Sequence, residues 1–323
     1  MLIFCCPLVA GVLYLRHFMQ VHTNIDQLPF FQNAVVTIGT FDGVHTGHRQ
    51  IIAQLKHEAA ALNGETVIIT FHPHPRKVVA HKNIFILNTL QEKTELLSGL
   101  GIGHLVVVPF DEKFSHQSAR EYVQHFLFEK FHPHTVIIGY DHKFGKGREG
   151  DYHLLEDFGR EFGFMVKEIP EHVLDKVTVS STKIREALLS SDVATANNYL
   201  GYDYFFEGIV IEGDKLGRTL GYPTANIQIE TPEKLVPGNG VYAVIAEVGQ
   251  STYKAMMNIG MRPTVEGTKR RIEVNLFDFD QDLYGKTLRV YIKHYLRGEV
   301  KFNGLDALKA QLAIDKESAL KLL

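Results

Sequence analysis

Cysteine and net charge are both scarce in this sequence, and each shortage excludes a class of protein. The two cysteines, Cys5 and Cys6, are adjacent, and adjacent cysteines rarely bridge, so we expect no disulfide framework and a reducing, cytoplasmic location. The 34 basic and 37 acidic residues leave a formal charge of −3, which argues against the broad electrostatic footprint of a protein that binds duplex nucleic acid. Small phosphorylated ligands are compatible with this charge, because a few local groups can bind them.

Long apolar runs are also missing, with one short exception at the N-terminus. The opening segment MLIFCCPLVAGVLYL is apolar, but no basic region precedes it, and it is short for a membrane span of about 20 residues. The alternatives are a signal peptide, an upstream start codon with Met19 as the natural beginning, and a disordered tail; the signal-peptide criteria favour the last two. We treat residues 1–18 as an extension and expect no membrane association.

A break in composition near residue 200 divides the chain into two parts. Residues 1–200 hold 16 of the 17 histidines, and His294 is the one that follows them. With 323 residues, of which 45% are hydrophobic, the chain is long enough for about two domains with real cores. We predict an extension, a first domain, a linker and a second domain at residues 1–18, 19–186, 187–202 and 203–323.

The first domain alternates strand and helix patterns. Thr89–Glu92 and Ser118–Glu121 each match the capping box that begins a helix. Short apolar runs predict strands at Ala34–Ile38, Thr66–Phe71, His104–Pro109 and Thr135–Gly139. This βαβ order predicts a Rossmann-like α/β domain with a mostly parallel sheet and helices on both faces. Ligands would then bind at the carboxyl ends of the strands, near a topological switch point.

The second domain has a different pattern, in which β-rich segments are separated by Gly, Pro or Asn. These segments are Phe205–Ile211, Val241–Val248, Thr252–Asn258, Arg271–Phe279 and Thr287–Tyr295. Five or six antiparallel strands of this kind predict a small β-barrel. A final amphipathic helix is predicted at Leu305–Leu323, with one apolar face formed by Leu305, Leu308, Leu312 and Leu320.

A segment rich in glycine and histidine connects the first predicted strand to the first predicted helix. It reads GTFDGVHTGH from Gly39 to His48, and Gly39 and Gly43 permit tight turns and close approach of a ligand. The helix N-terminus offers N–H groups and a positive dipole to phosphate. His45 and His48 are three residues apart, so one helical turn can aim both imidazoles at one point, where they would stabilise a leaving pyrophosphate. Zinc ligation and solvated loop residues are the alternatives.

A second loop of interest follows the strand that ends at Ile211. It runs from Gly213 to Asn226 and is not a Walker A loop, because no G-x-x-x-x-G-K-[ST] pattern occurs. Residues two apart on an extended segment face the same way, so Thr224 and Asn226 offer two neutral oxygens to one Mg²⁺. A turn with an Asx-type hydrogen bond is the alternative.

These motifs carry a family resemblance. The histidine segment resembles the nucleotidyltransferase signature G-x-F-D-x-x-H-x-G-H, and from about residue 35 to 315 the chain resembles the bacterial bifunctional riboflavin kinase/FAD synthetase family. Further family segments are F-x-P-H-P at 71–75, V-G-x-D-F-x-F-G at 138–145, S-S-T-x-I-R at 180–185 and P-T-A-N at 223–226. The resemblance implies a nucleotidyltransferase domain followed by a riboflavin kinase barrel, which convert riboflavin to FMN and FMN to FAD with ATP.

For the first domain, the resemblance implies an FMN adenylyltransferase site. Its catalytic residues would be His45, His48 and Arg185. Nucleotide contacts would come from Gly39, Phe41, Asp42, Gly47, Asp141, Ser180, Ser181 and Thr182, and flavin contacts from Phe71, Pro73, His74 and Pro75. His142 stands where the family pattern has Phe, so a stacking role is not carried over to that position.

For the second domain, the resemblance implies a riboflavin kinase site. Glu273 would take the proton from the flavin ribityl hydroxyl, although its residue type and strand context alone favour an exposed salt bridge. Nucleotide contacts would come from Gly213, Lys215, Gly217 and Arg218, flavin contacts from Asn258, Arg297, Glu299 and Phe302, and metal ligands from Thr224 and Asn226. Phe302 is equally suited to anchoring the final helix.

Three functional hypotheses follow from these motifs. The leading one is a single chain with both activities, whose partners are riboflavin, FMN, ATP and Mg²⁺ and which binds no nucleic acid. A kinase with a nucleotide-sensing first half is the second. The third is an RNA-linked enzyme, because aminoacyl-tRNA synthetases also use His-x-Gly-His, but the acidic first part and the lack of a basic stripe count against it. The sequence does not determine the oligomeric state.

Overall fold

The computed structural model describes residues 19–79, 84–169, 179–213, 216–264 and 267–323. Cys5, Cys6 and Lys215 lie outside these residues, so the predictions made for them stay predictions. Within the described residues, no helix combines the length and apolarity that a bilayer crossing would need.

A six-stranded parallel sheet forms the first domain. Its strands are β1 (Gln20–His22), β2 (Val35–Ile38), β3 (Thr66–His72), β4 (His104–Pro109), β5 (Thr135–Gly139) and β6 (Met165–Ile169). Their spatial order is β1-β4-β3-β2-β5-β6, which confirms the predicted Rossmann-like α/β fold. The chain reverses its direction of travel across the sheet between β2 and β5, so the topological switch point lies outside the carboxyl ends of these two strands.

The two edge strands were not predicted from the sequence. β1 has three residues and no buried side chain, and the pattern of β6 mixes polar with apolar residues because only Ile169 is buried. The four predicted strands are the ones buried on both faces, and such strands have continuous apolar runs.

Helices cover both faces of the sheet, as predicted. They are α1 (Thr46–Ala61), α2 (Pro75–Val79), α3 (Leu90–Ser98), α4 (Glu112–Ser115), α5 (Ala119–Glu121, a π-helical stretch Tyr122–Phe128, and Glu129–Phe131) and α6 (Tyr152–Phe162), with a 3₁₀ turn at Lys146–Arg148. Alternate strand residues pack on opposite sides. Val36 and Val136 lie in the core with α5 and α6, whereas Val35 and Ile137 lie in the core with α1 and α3.

Both predicted capping boxes are present. The Ser118 hydroxyl accepts from the backbone N–H of Glu121 at 3.2 Å, and the Glu121 carboxylate accepts from the backbone N–H of Ser118 at 2.8 Å. Thr89 and Glu92 make the same reciprocal pair at the start of α3. Each box satisfies two backbone donors that the helix itself leaves without partners.

Two helices connect this domain to a closed antiparallel barrel. The connecting helices are α7 (Ser181–Leu189) and α8 (Val193–Leu200). The barrel strands are β7 (Phe205–Ile211), β8 (Ala225–Gln228), β9 (Gly240–Val248), β10 (Ser251–Thr264), β11 (Gly267–Leu276) and β12 (Thr287–Arg297), in the closed order β10-β11-β8-β7-β12-β9. A short helix, α9 (Leu216–Thr219), precedes β8, and α10 (Leu305–Leu322) ends the chain. The predicted barrel and final helix are confirmed.

The final helix does not bury the predicted apolar face as a whole. Leu308 and Leu312 line a cavity on the outside of the barrel, but Leu305 and Leu320 are 55% and 40% exposed. The helix also turns Asp315 toward the barrel, where Arg297 binds its carboxylate with Nε at 2.9 Å and Nη2 at 2.6 Å.

We predict that Ser118→Ala lowers the free energy of unfolding by about 1 kcal/mol, because it removes one of the two capping hydrogen bonds of α5. Urea unfolding of the full chain measures the change. Ser118→Asp is the matched control, because aspartate accepts the same backbone hydrogen bond and should retain most of the stability. Equal losses in the two variants would contradict the capping explanation.

Candidate active sites

The histidine segment follows β2 at the topological switch point. His45 is the N-cap of α1, and its Nδ1 accepts from the backbone N–H of His48 at 3.4 Å. The two imidazole rings are stacked, with centroids 3.6 Å apart and an interplanar angle of 17°. The structure therefore brings together the two histidines that the sequence placed one helical turn apart, at the positive end of a 16-residue helix.

Burial sets the charge of this histidine pair. It lowers the pKa of His45 to about 4, with the Asp42 carboxylate opposing the shift and the Arg185 guanidinium adding to it. Burial, the neighbouring imidazole and the Lys93 ammonium lower the pKa of His48 well below its usual value. Both imidazoles are therefore neutral near pH 7 and each carries one N–H donor. His48 Nδ1 is buried and has no hydrogen-bond partner in the described part of the chain.

Close packing shapes the backbone beneath the pair. Phe41 is buried, with its ring 5.1 Å from that of His48 and against Gly39. A Cβ at Gly47 would lie 3.2 Å from the His45 ring, so a larger residue would push on the imidazole. Gly39 and Gly47 thus allow the backbone to pass close to the aromatic rings without a clash.

Asp42 contacts several of the loops around the histidine pair. It is 2% exposed; its Oδ1 accepts from the backbone N–H of Leu87 at 2.9 Å and of Asn88 at 3.3 Å, and its Oδ2 binds Nη2 of Arg185. Arg185 Nε also donates to the carbonyl oxygen of Phe85 at 2.7 Å. These are the contacts of residues that hold loops in place, so the predicted nucleotide contact of Asp42 and phosphate contact of Arg185 both stay predictions.

The serine segment of the first domain begins α7. Ser180 is its N-cap and accepts from the backbone N–H of Lys183 at 3.3 Å, while the Ser181 hydroxyl donates to the carbonyl oxygen of Asp42 at 2.9 Å. Thr182 is exposed in the first turn. The segment therefore joins the N-terminus of α7 directly to the histidine loop.

The predicted flavin segment ends β3 close to these charges. Burial lowers the pKa of His74 to about 4, with smaller effects from the charges of Asp42, Arg185 and Lys93. Phe71 is buried in an aromatic group with Phe110 and Phe114, whereas Pro73 and Pro75 are at the surface or half-buried. The segment thus lies within electrostatic reach of the histidine site.

Asp141 and His142 follow β5, on the other side of the switch point. Asp141 is exposed. Burial lowers the pKa of His142 to about 4, and its Nε2 is buried without a hydrogen-bond partner in the described residues. The ring of His142 is 6.2 Å from that of Phe144 and nearly parallel to it.

Sequence reasoning missed Lys93, which lies beneath the histidine loop. This lysine is 7% exposed, and its Nζ donates to the carbonyl oxygen of Thr40 at 2.6 Å and to the Thr70 hydroxyl at 3.3 Å. Burial lowers its pKa to about 8, opposed by Asp42. The available signal was its position four residues before Leu97, which places a cation on the buried stripe of α3.

The second site is a cavity of about 270 Å³ on the outer face of the barrel, beneath α10. Strand register forms its floor, because Glu273 on β11 lies opposite Asn226 on β8 and opposite Asn258 on β10. Directly opposed residues of antiparallel strands point to the same face. The predicted residues that line the cavity are Gly217, Thr224, Asn258, Glu273, Arg297, Glu299 and Phe302.

The other residues predicted for this site lie around its edge. Asn226 is 8% exposed and does not line the cavity, but its side chain touches Gly213, where a Cβ would lie 2.1 Å from the Asn226 Nδ2. A Cβ at Gly217 would lie 2.3 Å from the carbonyl oxygen of Tyr222. Arg218 is exposed. Gly213 therefore lies against Asn226 of β8 and Gly217 against the segment before β8, and neither position leaves room for a Cβ.

Asn275 and Asp315 line the cavity but were not found by sequence reasoning. Asn275 Nδ2 donates to the carbonyl oxygen of Pro223 at 2.6 Å and so fixes the segment that carries Thr224. Its signal was its place two residues after Glu273, on the same face of a strand. Asp315 gave no such signal, because its partner Arg297 is 18 residues away in sequence.

Comparison with known proteins identifies the class of protein to which the chain belongs. The family model for FAD synthetase matches residues 28–183, and the model for riboflavin kinase matches residues 200–323. The chain is therefore a two-domain transferase with a FAD synthetase domain and a riboflavin kinase domain.

Similar proteins match both domains together. The bifunctional riboflavin kinase/FMN adenylyltransferase of Escherichia coli (strain K12) is 37% identical over 298 residues, covering 92% of this chain and 94% of that protein. The one from Bacillus subtilis (strain 168) is 38% identical over 295 residues, covering 89% and 92%. A crystal structure described as a macrolide-efflux protein from Streptococcus pneumoniae has a TM-score of 0.83 at 29% identity, covering 94% of this chain and 98% of that one. The chain belongs to the bifunctional riboflavin kinase/FMN adenylyltransferase family.

We predict that acid weakens the fold through the buried histidines. Between pH 6.5 and about 4, unfolded His45 binds a proton that folded His45 does not, so the free energy of unfolding falls as the pH is lowered through this range. The slope is roughly 1 kcal/mol per pH unit for one such group. Urea unfolding at several pH values measures it.

His45→Asn is the matched variant for this test, because asparagine retains an N-cap acceptor and removes the titration. The free energy of unfolding of the variant should depend less steeply on pH over the same range. Parallel curves for the wild type and the variant would contradict the assignment to His45.

Proposed function

We propose that the chain makes FAD from riboflavin in two ATP-dependent steps, with the barrel cavity as the kinase site and the histidine loop as the adenylyltransferase site. Membership of the bifunctional family carries the two activities, and two separate sets of candidate residues on unlike folds support their division between the domains. We assign adenylyl transfer to residues 19–186 and riboflavin phosphorylation to residues 203–323. Incubation of the full chain with riboflavin, ATP and Mg²⁺, followed by separation of the flavins, tests the assignment; a preparation that forms neither FMN nor FAD would refute it.

Adenylyl transfer requires positioning and charge stabilisation more than covalent chemistry. A phosphate oxygen of FMN attacks the α-phosphorus of ATP, the bond from that phosphorus to the bridging oxygen breaks, and pyrophosphate leaves with the bond electrons. His45 and His48 face this charge as neutral N–H donors at the N-terminus of α1. A bound triphosphate would raise their pKa values and so strengthen both hydrogen bonds in the complex.

The remaining first-domain assignments follow the geometry around the histidine pair. Ser180 and Thr182 offer hydroxyl groups at the N-terminus of α7, and Arg185 offers a planar guanidinium that can turn from loop to phosphate. Gly39, Phe41 and Gly47 shape the nucleotide side of the pocket, with Asp141 across the switch point. Phe71, Pro73, His74 and Pro75 form the flavin side.

The kinase site places a carboxylate in the cavity that would hold the flavin. Glu273 accepts the proton of the ribityl hydroxyl as the oxygen–phosphorus bond forms and ADP leaves. Asn258, Glu299 and Phe302 offer polar and aromatic contacts to the flavin, with Arg297 held in place by Asp315. Gly213, Lys215, Gly217 and Arg218 would contact the nucleotide.

Thr224 and Asn226 are suited to hold the magnesium ion that accompanies ATP. Thr224 lines the cavity, and Asn226 is a buried amide beside the loop glycine Gly213 and opposite Glu273. Hydroxyl and carboxamide oxygens are ligands that Mg²⁺ accepts, with the rest supplied by phosphates and water. When bound, the ion would neutralise charge on the transferred phosphoryl group.

We predict that His48→Ala lowers the rate of FAD formation from supplied FMN by roughly 100-fold or more, because it removes one donor to the leaving group. The rate of FMN formation from riboflavin should change less than twofold. Flavin products are separated and quantified in both assays. Loss of FMN formation with FAD formation intact would reverse the assignment of the two sites.

We predict the opposite result for Glu273→Gln, which keeps the shape of the side chain and removes the base. The rate of FMN formation should fall roughly 100-fold or more, and FMN supplied to the variant should still become FAD at the wild-type rate. The two variants are controls for each other, because each tests one site and leaves the other intact. A Glu273→Gln variant with normal kinase activity would contradict the role of this carboxylate.

A further inference from the structure

A buried ion pair joins the two domains. Lys234 lies on the loop between β8 and β9 of the barrel, and its Nζ is 2.6 Å from Oε2 of Glu92 on α3 of the first domain. Both side chains are 1% exposed. The same ammonium donates to the carbonyl oxygen of Leu87 at 2.7 Å. Because a buried cation is tolerated only where its donors have partners, these contacts fix the position of Leu87 relative to the barrel.

Leu87 is also in contact with the histidine loop. Its backbone N–H donates to Oδ1 of Asp42 at 2.9 Å, and that of Asn88 donates to the same oxygen at 3.3 Å. Its side chain packs against Gly43, where a Cβ would lie 2.7 Å from Leu87 Cδ1. Leu87 therefore connects the two domains: its carbonyl oxygen accepts from Lys234 of the barrel, and its backbone N–H donates to Asp42 of the histidine loop.

The loop that receives these contacts is strained. Phe41 and Val44 have φ values of +47° and +37°, in the left-handed region that residues other than glycine rarely adopt, and Val44 is β-branched. Such a backbone conformation is unfavourable in free energy and persists only where the surrounding structure determines it. His45, the N-cap of α1, follows Val44 directly, so the direction of its imidazole depends on this turn.

The linker adds a second hold on the same turn. Tyr202 donates its hydroxyl to the carbonyl oxygen of Gly43 at 2.7 Å, and the Thr46 hydroxyl donates to the carbonyl oxygen of Tyr199 at 2.9 Å. The turn from Phe41 to Val44 is thus fixed at two points by groups outside its own domain. Tyr202 binds the carbonyl oxygen of Gly43, and Lys234 acts through Leu87 on the carboxylate of Asp42.

We propose that Lys234 of the kinase barrel is a positioning residue for adenylyl transfer, which acts through Leu87 and Asp42 to hold the strained turn that aims His45 and His48 at the nucleotide. The inference rests on the proposed function of the histidine site. It predicts that the two activities are not independent: the kinase domain works without this contact, whereas the adenylyltransferase site needs it.

The experiment distinguishes an effect on the position of the histidine loop from an effect on protein stability. It does so by replacing the charged pair Lys234–Glu92 with two neutral residues. Lys234→Met alone leaves the Glu92 carboxylate buried without its cation, and a lower melting temperature is expected. The double variant Lys234→Met/Glu92→Gln removes both charges and should melt close to the wild type. It still lacks the donor to the Leu87 carbonyl, so we expect kcat/KM for ATP in FAD formation to fall at least tenfold in both variants.

Two further measurements show whether the effect is local. In the double variant, KM for FMN and the rate of FMN formation from riboflavin should change less than threefold. Glu95→Gln is the matched control, because it removes a carboxylate from the same helix and breaks another ion pair with the barrel, to Arg289, at an exposed position. It should leave both activities unchanged.

FAD formation by the double variant decides whether Lys234 is a positioning residue. A double variant that makes FAD at the wild-type rate overturns the proposal, and so does one that loses both activities equally or that shifts KM for FMN as much as KM for ATP. Failure of the wild-type chain to make FAD in the same assay would instead refute the proposed function. A selective loss for ATP in FAD formation supports the positioning role.

Discussion

The strained turn between β2 and α1 is the constraint on which the first active site depends. It places Phe41 and Val44 at positive φ so that His45 can cap the helix and stack on His48. Asp42 stabilises this arrangement because backbone amides and a guanidinium occupy its carboxylate. Burial then keeps both imidazoles neutral, so each ring retains one N–H donor and adds no positive charge to the loop.

The two candidate sites of the chain are built on different principles. The first lies at the carboxyl ends of parallel strands, where helix N-termini and loops converge at a switch point. The second lies on the outer face of a closed barrel, where register alone aligns Asn226, Glu273 and Asn258 across three strands. The barrel interior is filled by apolar side chains, so the outward face is the one that remains for a polar site.

Buried charges lie close to the histidine loop. Lys93 lies under the histidine loop and Lys234 enters from the barrel, and both sit in the core with defined acceptors. Burial lowers the pKa of each lysine, and for Lys234 the Glu92 carboxylate opposes this shift. Such groups add specificity of position at a cost in stability, because their partners must be matched in space. The boundary between the domains therefore supplies contacts to the histidine loop through Leu87 as well as joining the two domains.

Local patterns in the sequence determined the four central strands, the two capping boxes, the barrel class, and the pairing of His45 with His48, because each depends on spacing over a few residues. The edge strands β1 and β6 escaped detection because they bury little, and the exposure of Leu305 and Leu320 depends on how α10 packs against the barrel. Only the tertiary structure decided that Asp42 faces Leu87, that Lys93 is buried, and that Lys234 enters the first domain. These contacts join residues far apart in the chain, and periodicity holds no information about which distant segments meet.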